Sequence, residues 1–420
     1  MLNATRQPGL PMTPTSLAAE STRATDTKVI GLVGSAHFVS HVFVLALPPV
    51  MTFLRPEFNV SYTELGLVMA VFNAISGIFQ TPAGFLVDRT SGRTVLVGGL
   101  LLGSASLAAS VVMPNFLLFG LMFAFLGVAN TVYHPADYAL LSSRISPGWM
   151  SQAFSIHIFA GFIGSAVTPA IMVALALQFG WRSAFLAMAL LGALVAVAIL
   201  LFGDVLAGRE AAHAKAASGG SAPEASDWRV LMTWPVILNL IFFLLIAAIS
   251  VGIQNYGIVA LQALSGASLS FATTVITVYL VSCAFAVLVG GWISARSHRH
   301  DRIAIIGLAV SGMALVPVAF VDVGAALLLF LMGLSGFFNG VIQPSRDMIV
   351  REVTPPGAVG RVFGFVTTGF NIGGVLAPPA FGYMMDTGRP GLVILGTAAL
   401  TLITIPIVMV TIASGEKRAA

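Results

Sequence analysis

The chain has 420 residues, of which 57% are hydrophobic and only 9% are charged, and its mean hydropathy is +0.96. A water-soluble domain carries charge on about a quarter of its residues, so this composition excludes an ordinary soluble protein and indicates a membrane protein. The formal net charge of +4 comes from basic residues scattered among loops, which argues against a nucleic-acid partner. With one cysteine, Cys283, the chain has no pair for an internal disulfide.

Long apolar runs recur along the whole chain, each close to the ~20 residues that cross ~30 Å of hydrocarbon. Because backbone polar groups in lipid must bond within their own segment, these runs predict helices. The sequence therefore predicts an all-α polytopic membrane protein with twelve transmembrane helices in two six-helix halves. We place the spans near residues 29–54, 62–86, 94–113, 115–141, 151–177, 182–202, 230–256, 270–293, 302–321, 323–346, 359–385 and 389–413.

The segments outside the spans divide the chain into halves and tails. Residues 1–28, rich in Thr, Ser, Pro and Ala, predict a disordered tail. Residues 203–229 contain "AAHAKAASGGSAPEAS" and predict a flexible linker between a first half at 29–202 and a second half at 230–413. Residues 414–420 form a short second tail.

The basic residues predict the orientation of the chain in the membrane. If the N-terminus is placed inside, all but three of the 20 Lys and Arg residues fall on the cytoplasmic side. The exceptions are Arg55, Arg182 and Arg389. Because cytoplasmic loops carry an excess of Lys and Arg, both termini, the linker and the tails are predicted to be cytoplasmic.

The two halves are repeats of one another. Residues 127–170 align without gaps to residues 336–379 at a constant offset of 209, with glycine, asparagine and proline positions shared. Repeated halves are typical of carriers that work by alternating access and hold their substrate between the repeats near mid-membrane. A duplicated channel or scaffold is the alternative.

One charged loop carries a resemblance to a known family. The stretch "GFLVDRTSGR", residues 84–93, lies between the second and third spans. It resembles the loop signature of the major facilitator superfamily, and the two-half, twelve-span plan of that superfamily covers the whole chain. More narrowly, residues 36–89 and "VYHP" at 132–135 are similar to the fosmidomycin-resistance group of drug:proton antiporters. That group commonly has an acid in the first span where this chain has His41.

The same loop predicts a gate at the cytoplasmic face. Alternating access needs closed states of similar energy and a latch that favours each in turn. A carboxylate at Asp88 is placed to bond the exposed amides that begin a neighbouring helix, or to pair with Arg346, Arg351 or Arg361 of the second half. We therefore expect a cytoplasmic gate that stabilises the outward-open state, formed by Asp88, Arg89, Gly92, Arg93, Arg346 and Arg361. The alternative is that the arginines only set topology.

The ionisable residues of the membrane interior are four histidines and one acid, Asp137. These histidines, all in the first half, fall ~13 to ~20 Å from the cytoplasmic ends of their spans, in a core ~30 Å thick. Ionisable groups in a membrane are functional candidates by default, and histidine titrates near physiological pH. We expect a proton-coupling site made of His37, His41, His134 and Asp137.

Two other interpretations of the histidines stay open. In one, they are neutral and bonded to helix carbonyls or to Ser40 and Asn130, an interpretation that we favour for His157 because its helix is more peripheral. His37 and His41 also have metal-ligand spacing, but further ligands are not near them in sequence, so we expect no metal and no cofactor.

Amide side chains dominate the interior of the second half. The resemblance implies that spans one, four, seven and ten line a central cavity, and we expect a substrate-binding wall formed by Asn239, Gln254, Asn255, Tyr256 and Gln343. Without a fixed carboxylate or a buried arginine pair, the cavity suits neutral, amphipathic or weakly anionic solutes. Asn339 and Asn371, inside glycine-rich helix contacts, are expected to be structural.

These patterns predict a secondary active transporter and not an enzyme, since the sequence has no GxGxxG, P-loop, HExxH or GxSxG motif. We favour proton-coupled efflux of a small amphipathic or weakly anionic compound. The alternatives are proton-linked or facilitated uptake of a small metabolite such as an organic acid, and a carrier-like sensor without flux. The expected partners are the solute, protons and the lipid bilayer, and the resemblance implies a functional monomer in the bacterial inner membrane.

Overall fold

The computed structural model describes residues 14–207, 228–320, 322–355 and 358–419, with the side chains of 14–22, 228, 359–361 and 415–419 left out. Within these ranges the regular structure is entirely helical, which confirms the predicted fold class. The spans are Pro14–Val44 with Pro48–Val50 and Met51–Phe58 (span 1), Tyr62–Arg89 (span 2), Gly92–Ser110 (span 3), Phe116–Asn130 with Tyr133–Arg144 (span 4), Met150–Phe179 (span 5), Trp181–Phe202 (span 6), Trp234–Ser250 with Val251–Asn255 and Tyr256–Ser265 (span 7), Leu269–Ser294 (span 8), His300–Phe320 (span 9), Ala325–Glu352 (span 10), Val359–Asp386 (span 11) and Pro390–Ala419 (span 12).

Eleven of these helices, in the described part of the chain, are long and apolar enough to cross a membrane. Span 11 is not among the eleven. It is 28 residues long, but its glycines, its two prolines and Asn371 dilute its hydropathy. We attribute these small and polar residues to close helix contacts, because span 11 packs against the opposite half.

The tails differ from the prediction. The helix of span 1 begins at Pro14, so the second part of the predicted disordered tail is helical. Span 12 likewise continues to Ala419. Both extensions prolong an existing helix, which avoids the cost of nucleating a new one. Of the predicted linker, residues 208–227 lie outside the described residues, as do residues 1–13 of the tail.

Local sequence signals explain where the helices begin and where two of them are interrupted. Ser61 caps span 2 in a capping box with Glu64. Span 4 is interrupted between Asn130 and Tyr133, just before Pro135, which has no N–H to continue the preceding turn. Span 7 contains a π-helical turn at Val251–Asn255, a distortion that is frequent at functional sites.

The two halves meet mainly along two helix pairs, span 2 with span 11 and span 5 with span 8. We call the end of the bundle where span 2 begins and span 11 finishes the Asp386 end. The opposite end, where span 2 finishes and span 11 begins, is the Asp88 end. All of the loops that the sequence predicts to be cytoplasmic, including the one after Asp88, lie at the Asp88 end.

Span 2 and span 11 touch at the Asp386 end and separate at the Asp88 end. A Cβ atom on Gly77 would lie 2.9 Å from the side chain of Asn371, so the backbone of span 2 lies directly against this side chain of span 11. Seven residues further along each antiparallel helix, the same register brings Gly84 opposite Gly364. Yet a Cβ on either glycine meets no atom of another described element within 4 Å. The halves are therefore joined at the Asp386 end and open toward the Asp88 end.

Candidate functional site

Four histidines of the first half form one cluster. The rings of His37 and His157 are stacked with centroids 3.8 Å apart. The ring of His41, one helical turn along span 1, lies 4.8 Å from the ring of His37. The ring of His134 lies 5.3 Å from the ring of His37. Spans 1, 4 and 5 thus place imidazoles in mutual contact.

A buried carboxylate lies against this histidine cluster. Asp137 follows His134 by one helical turn, and its side chain is fully buried. Its Oδ2 atom lies 3.4 Å from Nδ1 of His37 and 3.9 Å from Nε2 of His157. Neither contact is aligned as a hydrogen bond, and both Asp137 oxygens and both His157 nitrogens lack hydrogen-bond partners among the described residues. Buried polar atoms without hydrogen-bond partners cost free energy. A proton shared between Asp137 and the histidines would offset this cost.

The structure gives His41 a hydrogen-bond partner. Nδ1 of His41 lies 2.8 Å from the hydroxyl of Ser165 on span 5. Of the two partners that the sequence offers, Ser40 donates to the carbonyl of His37, and Asn130 donates to Ser76. A neutral His41 thus has a hydrogen-bond partner. This partner lies on span 5 and is not one of those that the sequence predicts.

His157 is the member of the histidine cluster that sequence reasoning set aside. It is fully buried and stacks on His37, so span 5 contributes directly to the cluster. The signal in the sequence was its depth in the membrane, which matches that of the other three histidines. What the sequence did not show is which face of span 5 turns toward span 1.

A glycine makes room for the cluster. A Cβ atom on Gly161 would lie 2.7 Å from Nε2 of both His37 and His41. Only a residue without a side chain permits this approach of span 5 to span 1.

Nitrogen atoms of His37, His134 and His157 lie within 4.8 Å of one another. Four ligands arranged tetrahedrally around an ion at 2.0–2.1 Å stand closer together than this. The cluster would have to contract to hold a metal, and the expectation of no metal stays a prediction.

The histidine cluster opens toward the other half through His134. This histidine is exposed, whereas His37, His157 and Asp137 are buried. Tyr138, one turn further along span 4, is 44% exposed, and its hydroxyl experiences the charges of Arg346 and Asp347 on span 10. His134 and Tyr138 therefore face the second half across the space that opens at the Asp88 end.

The predicted gate residues are not joined in this conformation. Asp88 and Arg89 are exposed, and Asp88 forms no hydrogen bond or ion pair with any part of the chain that the structure describes. Arg93 instead caps the end of span 6, donating to the carbonyl of Leu200 at 2.8 Å. Gly92 is packed so closely that a Cβ would lie 2.9 Å from Leu140.

The second half contributes two arginines, Arg346 and Arg361, to the predicted gate. Arg346 bonds within its own half, to Gln343 and Asp347. The side chain of Arg361 lies outside the described residues. Because the Asp88 end is open here, a gate that closes this end stays a prediction for another conformation.

The predicted substrate-binding residues separate into two groups. Asn239 is fully buried and donates to the carbonyl of Pro235, and Tyr256 is buried and donates, within the second half, to the carbonyl of Pro378 at 2.7 Å. Gln254, Asn255 and Gln343 are half-buried. Only this second group has side-chain surface available to a solute in the described conformation.

A gate that the sequence did not predict closes the Asp386 end. The carboxylate of Asp386, on span 11, accepts hydrogen bonds from the backbone N–H groups of Tyr62 and Thr63, at 2.9 and 2.8 Å. It also accepts one from the hydroxyl of Thr63 at 2.7 Å. A carboxylate at the first turn of a helix neutralises free amides and the positive end of the helix dipole. Here the cap belongs to the opposite half.

The family model of the Major Facilitator Superfamily matches residues 33–264 and 240–419, which together span nearly the whole chain. The chain belongs to the Major Facilitator Superfamily. It is therefore a membrane transporter and not an enzyme, as the sequence predicted.

Relatives of this superfamily member are named for different compounds. It is 22% identical to the fosmidomycin resistance protein of Escherichia coli, with 85% of this chain and 87% of that protein covered. It is also 22% identical to a probable sulfoacetate transporter of Cupriavidus necator, again over 85% of this chain and 87% of that protein. A probable L-galactonate transporter of E. coli is 28% identical, but the match spans 45% of this chain and 42% of that protein.

Solved superfamily structures share the fold at low sequence identity. A bacterial homologue of the human lysosomal transporter Spinster, in an inward-facing conformation, superposes with a TM-score of 0.70 at 14% identity. That match covers 93% of this chain and 96% of the other. The nucleoside transporter NupG gives a TM-score of 0.72 at 14% identity, over 91% of this chain and 99% of its own. These likenesses establish the fold alone.

Proposed function

We propose that this transporter is a proton-coupled carrier whose coupling proton is held by His37, His41, His134 and Asp137, with His157 as a fifth member. The observation that supports this proposal most directly is the contact of Asp137 with His37 and His157 inside a buried set that lacks other partners. A carboxylate surrounded by imidazoles changes its charge by taking up or releasing a proton.

Coupling follows from the cost of burying that charge. An unprotonated Asp137 in a closed, dry cavity carries an uncompensated charge, which costs several kcal/mol in a protein interior. A proton on the cluster turns the carboxylate and one imidazole into a pair. Closure of the space in front of His134 is therefore easier with the proton bound, and this ties the conformational change to proton uptake.

We propose efflux of a small amphipathic or weakly anionic compound as the direction and cargo. The positive-inside distribution supports a cytoplasmic Asp88 end; in that orientation the described conformation would admit a solute from inside the cell. The relative that confers fosmidomycin resistance, aligned over most of both chains, supports export. On this proposal the carrier works as a single chain in the bacterial inner membrane, with both termini cytoplasmic.

Uptake of a small organic acid is the second candidate. The relatives named for sulfoacetate and L-galactonate, both acid anions, support it. In this candidate the same cluster takes a proton from outside and the solute moves inward with it. A sensor without flux is the third candidate. A membrane sensor protein of E. coli, 22% identical over 84% of this chain, supports it.

Proton movement in inverted membrane vesicles with an acid interior tests the proposal. Fosmidomycin, amphipathic antibiotics and organic acids are added in turn, and a pH-sensitive dye reports the gradient. We expect an added solute to collapse the gradient with the unmodified carrier but not with Asp137→Asn or His41→Ala. His298→Ala, in an exposed loop histidine, is the matched control and should behave like the unmodified carrier.

Each outcome decides between the candidates. Gradient collapse by exported compounds supports antiport. Entry of a radiolabelled acid together with protons supports uptake instead. Solute flux that is the same with and without a proton gradient, in all variants, would overturn proton coupling.

A further inference from the structure

We infer that Arg346 is the anion-binding residue of this carrier, and that its substrate is a small monocarboxylate held between Arg346 with Gln343 on span 10 and His134 with Tyr138 on span 4. The inference rests on the proposed carrier function, but not on proton coupling or on the direction of transport. It moves Arg346 from the predicted gate to the wall that faces the solute.

The repeat places the two walls at equivalent positions. At the offset of 209, His134 corresponds to Gln343, Asp137 to Arg346, and Tyr138 to Asp347. The carrier therefore has an acid in one half where it has a base in the other. Such a pair of walls suits a solute with a carboxylate at one end and a neutral polar body at the other.

Arg346 lies inside span 10 and not in a loop. It stands six residues before the end of the helix at Glu352, about 9 Å along the axis at 1.5 Å per residue. Its side chain is only 11% exposed. A buried arginine in a membrane-spanning helix is costly, and such residues mark substrate pathways.

The surroundings of Arg346 hold the guanidinium in one orientation. Its Cζ atom lies 4.5 Å from the ring centre of Phe243 and 5.1 Å from that of Phe370, and these two rings contact each other. Stacking on an aromatic face leaves the planar N–H edge of a guanidinium for hydrogen bonds. The two phenylalanines thus act as a platform that orients this edge.

The N–H edge of Arg346 is only partly used. Nε donates to Oδ1 of Asp347 at 2.9 Å, Nη2 lies 2.8 Å from the same oxygen, and Nη1 donates to Gln343. Because a guanidinium has five N–H groups, Nη1 and Nη2 each keep an N–H for which the described residues supply no acceptor. Two parallel N–H groups match the two oxygens of a carboxylate.

The charges around Arg346 favour a monoanion. Asp347, 48% exposed, compensates part of the positive charge, and Asp137 lies fully buried behind the histidines. Tyr138 offers a hydroxyl, and His134 offers a ring nitrogen. One partly compensated guanidinium suits a single carboxylate.

Ligand binding to the purified full chain in detergent tests the inference. Aliphatic, hydroxy and aromatic monocarboxylates, each paired with its uncharged amide, are titrated while thermal unfolding is followed by intrinsic fluorescence. We expect at least one acid to raise the unfolding temperature and its amide to have no effect. Arg346→Gln should weaken binding of that acid by ~10- to 100-fold, the size of a lost charge-assisted hydrogen bond.

Two further variants keep the test decisive if Arg346→Gln folds poorly. Arg346→Lys keeps the charge but loses the planar fork, and we expect intermediate binding. Arg351→Gln, an exposed arginine in the last turn of the same helix, should bind like the unmodified carrier.

The inference is overturned if amides bind as well as acids, if Arg351→Gln lowers acid binding as much as Arg346→Gln, or if no acid in the panel binds. Acid binding at Arg346 without any proton movement would leave it standing and overturn the proposed coupling. Proton movement driven only by neutral or cationic compounds would overturn the inference about Arg346 and leave the proposed coupling in place.

Discussion

Asp386 caps a helix of the opposite half: its carboxylate accepts hydrogen bonds from both the backbone N–H and the hydroxyl of Thr63, which is 323 residues away in the chain. The contact closes one end of the carrier. Because it joins two rigid halves and not two turns of one helix, it must break when that end opens.

We predict that Asp386→Ala shifts the carrier toward opening of the Asp386 end. Loss of the charge-assisted bonds should change the equilibrium between the two conformations by about 1–3 kcal/mol, or ~5- to 150-fold. Distances between spin labels at Pro56 and Thr387, in a Cys283→Ser background, measure the effect. A longer distance should appear in the variant.

Asp322→Ala is the control for the first prediction. Asp322 is exposed, and its one hydrogen bond among the described residues is accepted from the N–H of Gly324 in its own loop. If its removal lengthens the distance as much as Asp386→Ala does, the cap at Thr63 is not the closing contact.

A second gate is predicted at the other end. The register that pairs Gly77 with Asn371 brings Asp88 opposite residue 360 when the Asp88 end closes. There it would cap the first turn of span 11, as Asp386 caps span 2. We expect Asp88→Asn to disfavour closure of the Asp88 end and to slow transport, while binding of solute from the cytoplasmic side persists.

Transport rate and equilibrium binding, measured side by side, check the second gate. Asp204→Asn supplies the comparison, because Asp204 is 87% exposed and lies 3.7 Å from Arg93 within one half. Equal rates in Asp88→Asn and the unmodified carrier would show that Asp88 has no part in closure.

The buried carboxylate gives a third prediction. If Asp137 carries the coupling proton, Asp137→Asn abolishes accumulation of solute against its gradient. Exchange of labelled for unlabelled solute needs no proton and should stay within ~3-fold of the unmodified rate, since the amide is nearly the same size. Loss of both activities together would assign Asp137 a structural role.

Gly161 gives a prediction with a built-in comparison. A methyl group there would lie 2.7 Å from nitrogens of His37 and His41, so Gly161→Ala must push these rings apart. We expect the variant to be less stable by about 1–3 kcal/mol and to lose coupling. Gly31→Ala, on the same span as the histidines but with nothing within 4 Å, should gain up to about 1 kcal/mol in helix stability.

Thermal unfolding and gradient-driven transport measure both glycine variants. A Gly161→Ala protein that keeps full coupling would show that the close packing of spans 1 and 5 does not hold the histidine cluster in its working geometry.

The sequence by itself determined the architecture, because hydrophobicity and repeat pattern act locally. Runs of about twenty apolar residues must be helices in lipid, and the offset of 209 between equivalent residues requires two similar halves. The histidines and Asp137 were also identifiable, since an ionisable residue in an apolar run is conspicuous wherever it points.

Only the tertiary structure decided which of these residues act together. The rotation of each helix about its axis selects the face that meets its neighbour, and that rotation depends on packing over the whole bundle. It placed His157 against His37, turned Arg346 onto Phe243, and brought Asp386 to the first turn of span 2. The physical reason is that charges and hydrogen bonds act over a few ångströms, whereas their partners in this carrier are separated by up to hundreds of residues along the chain.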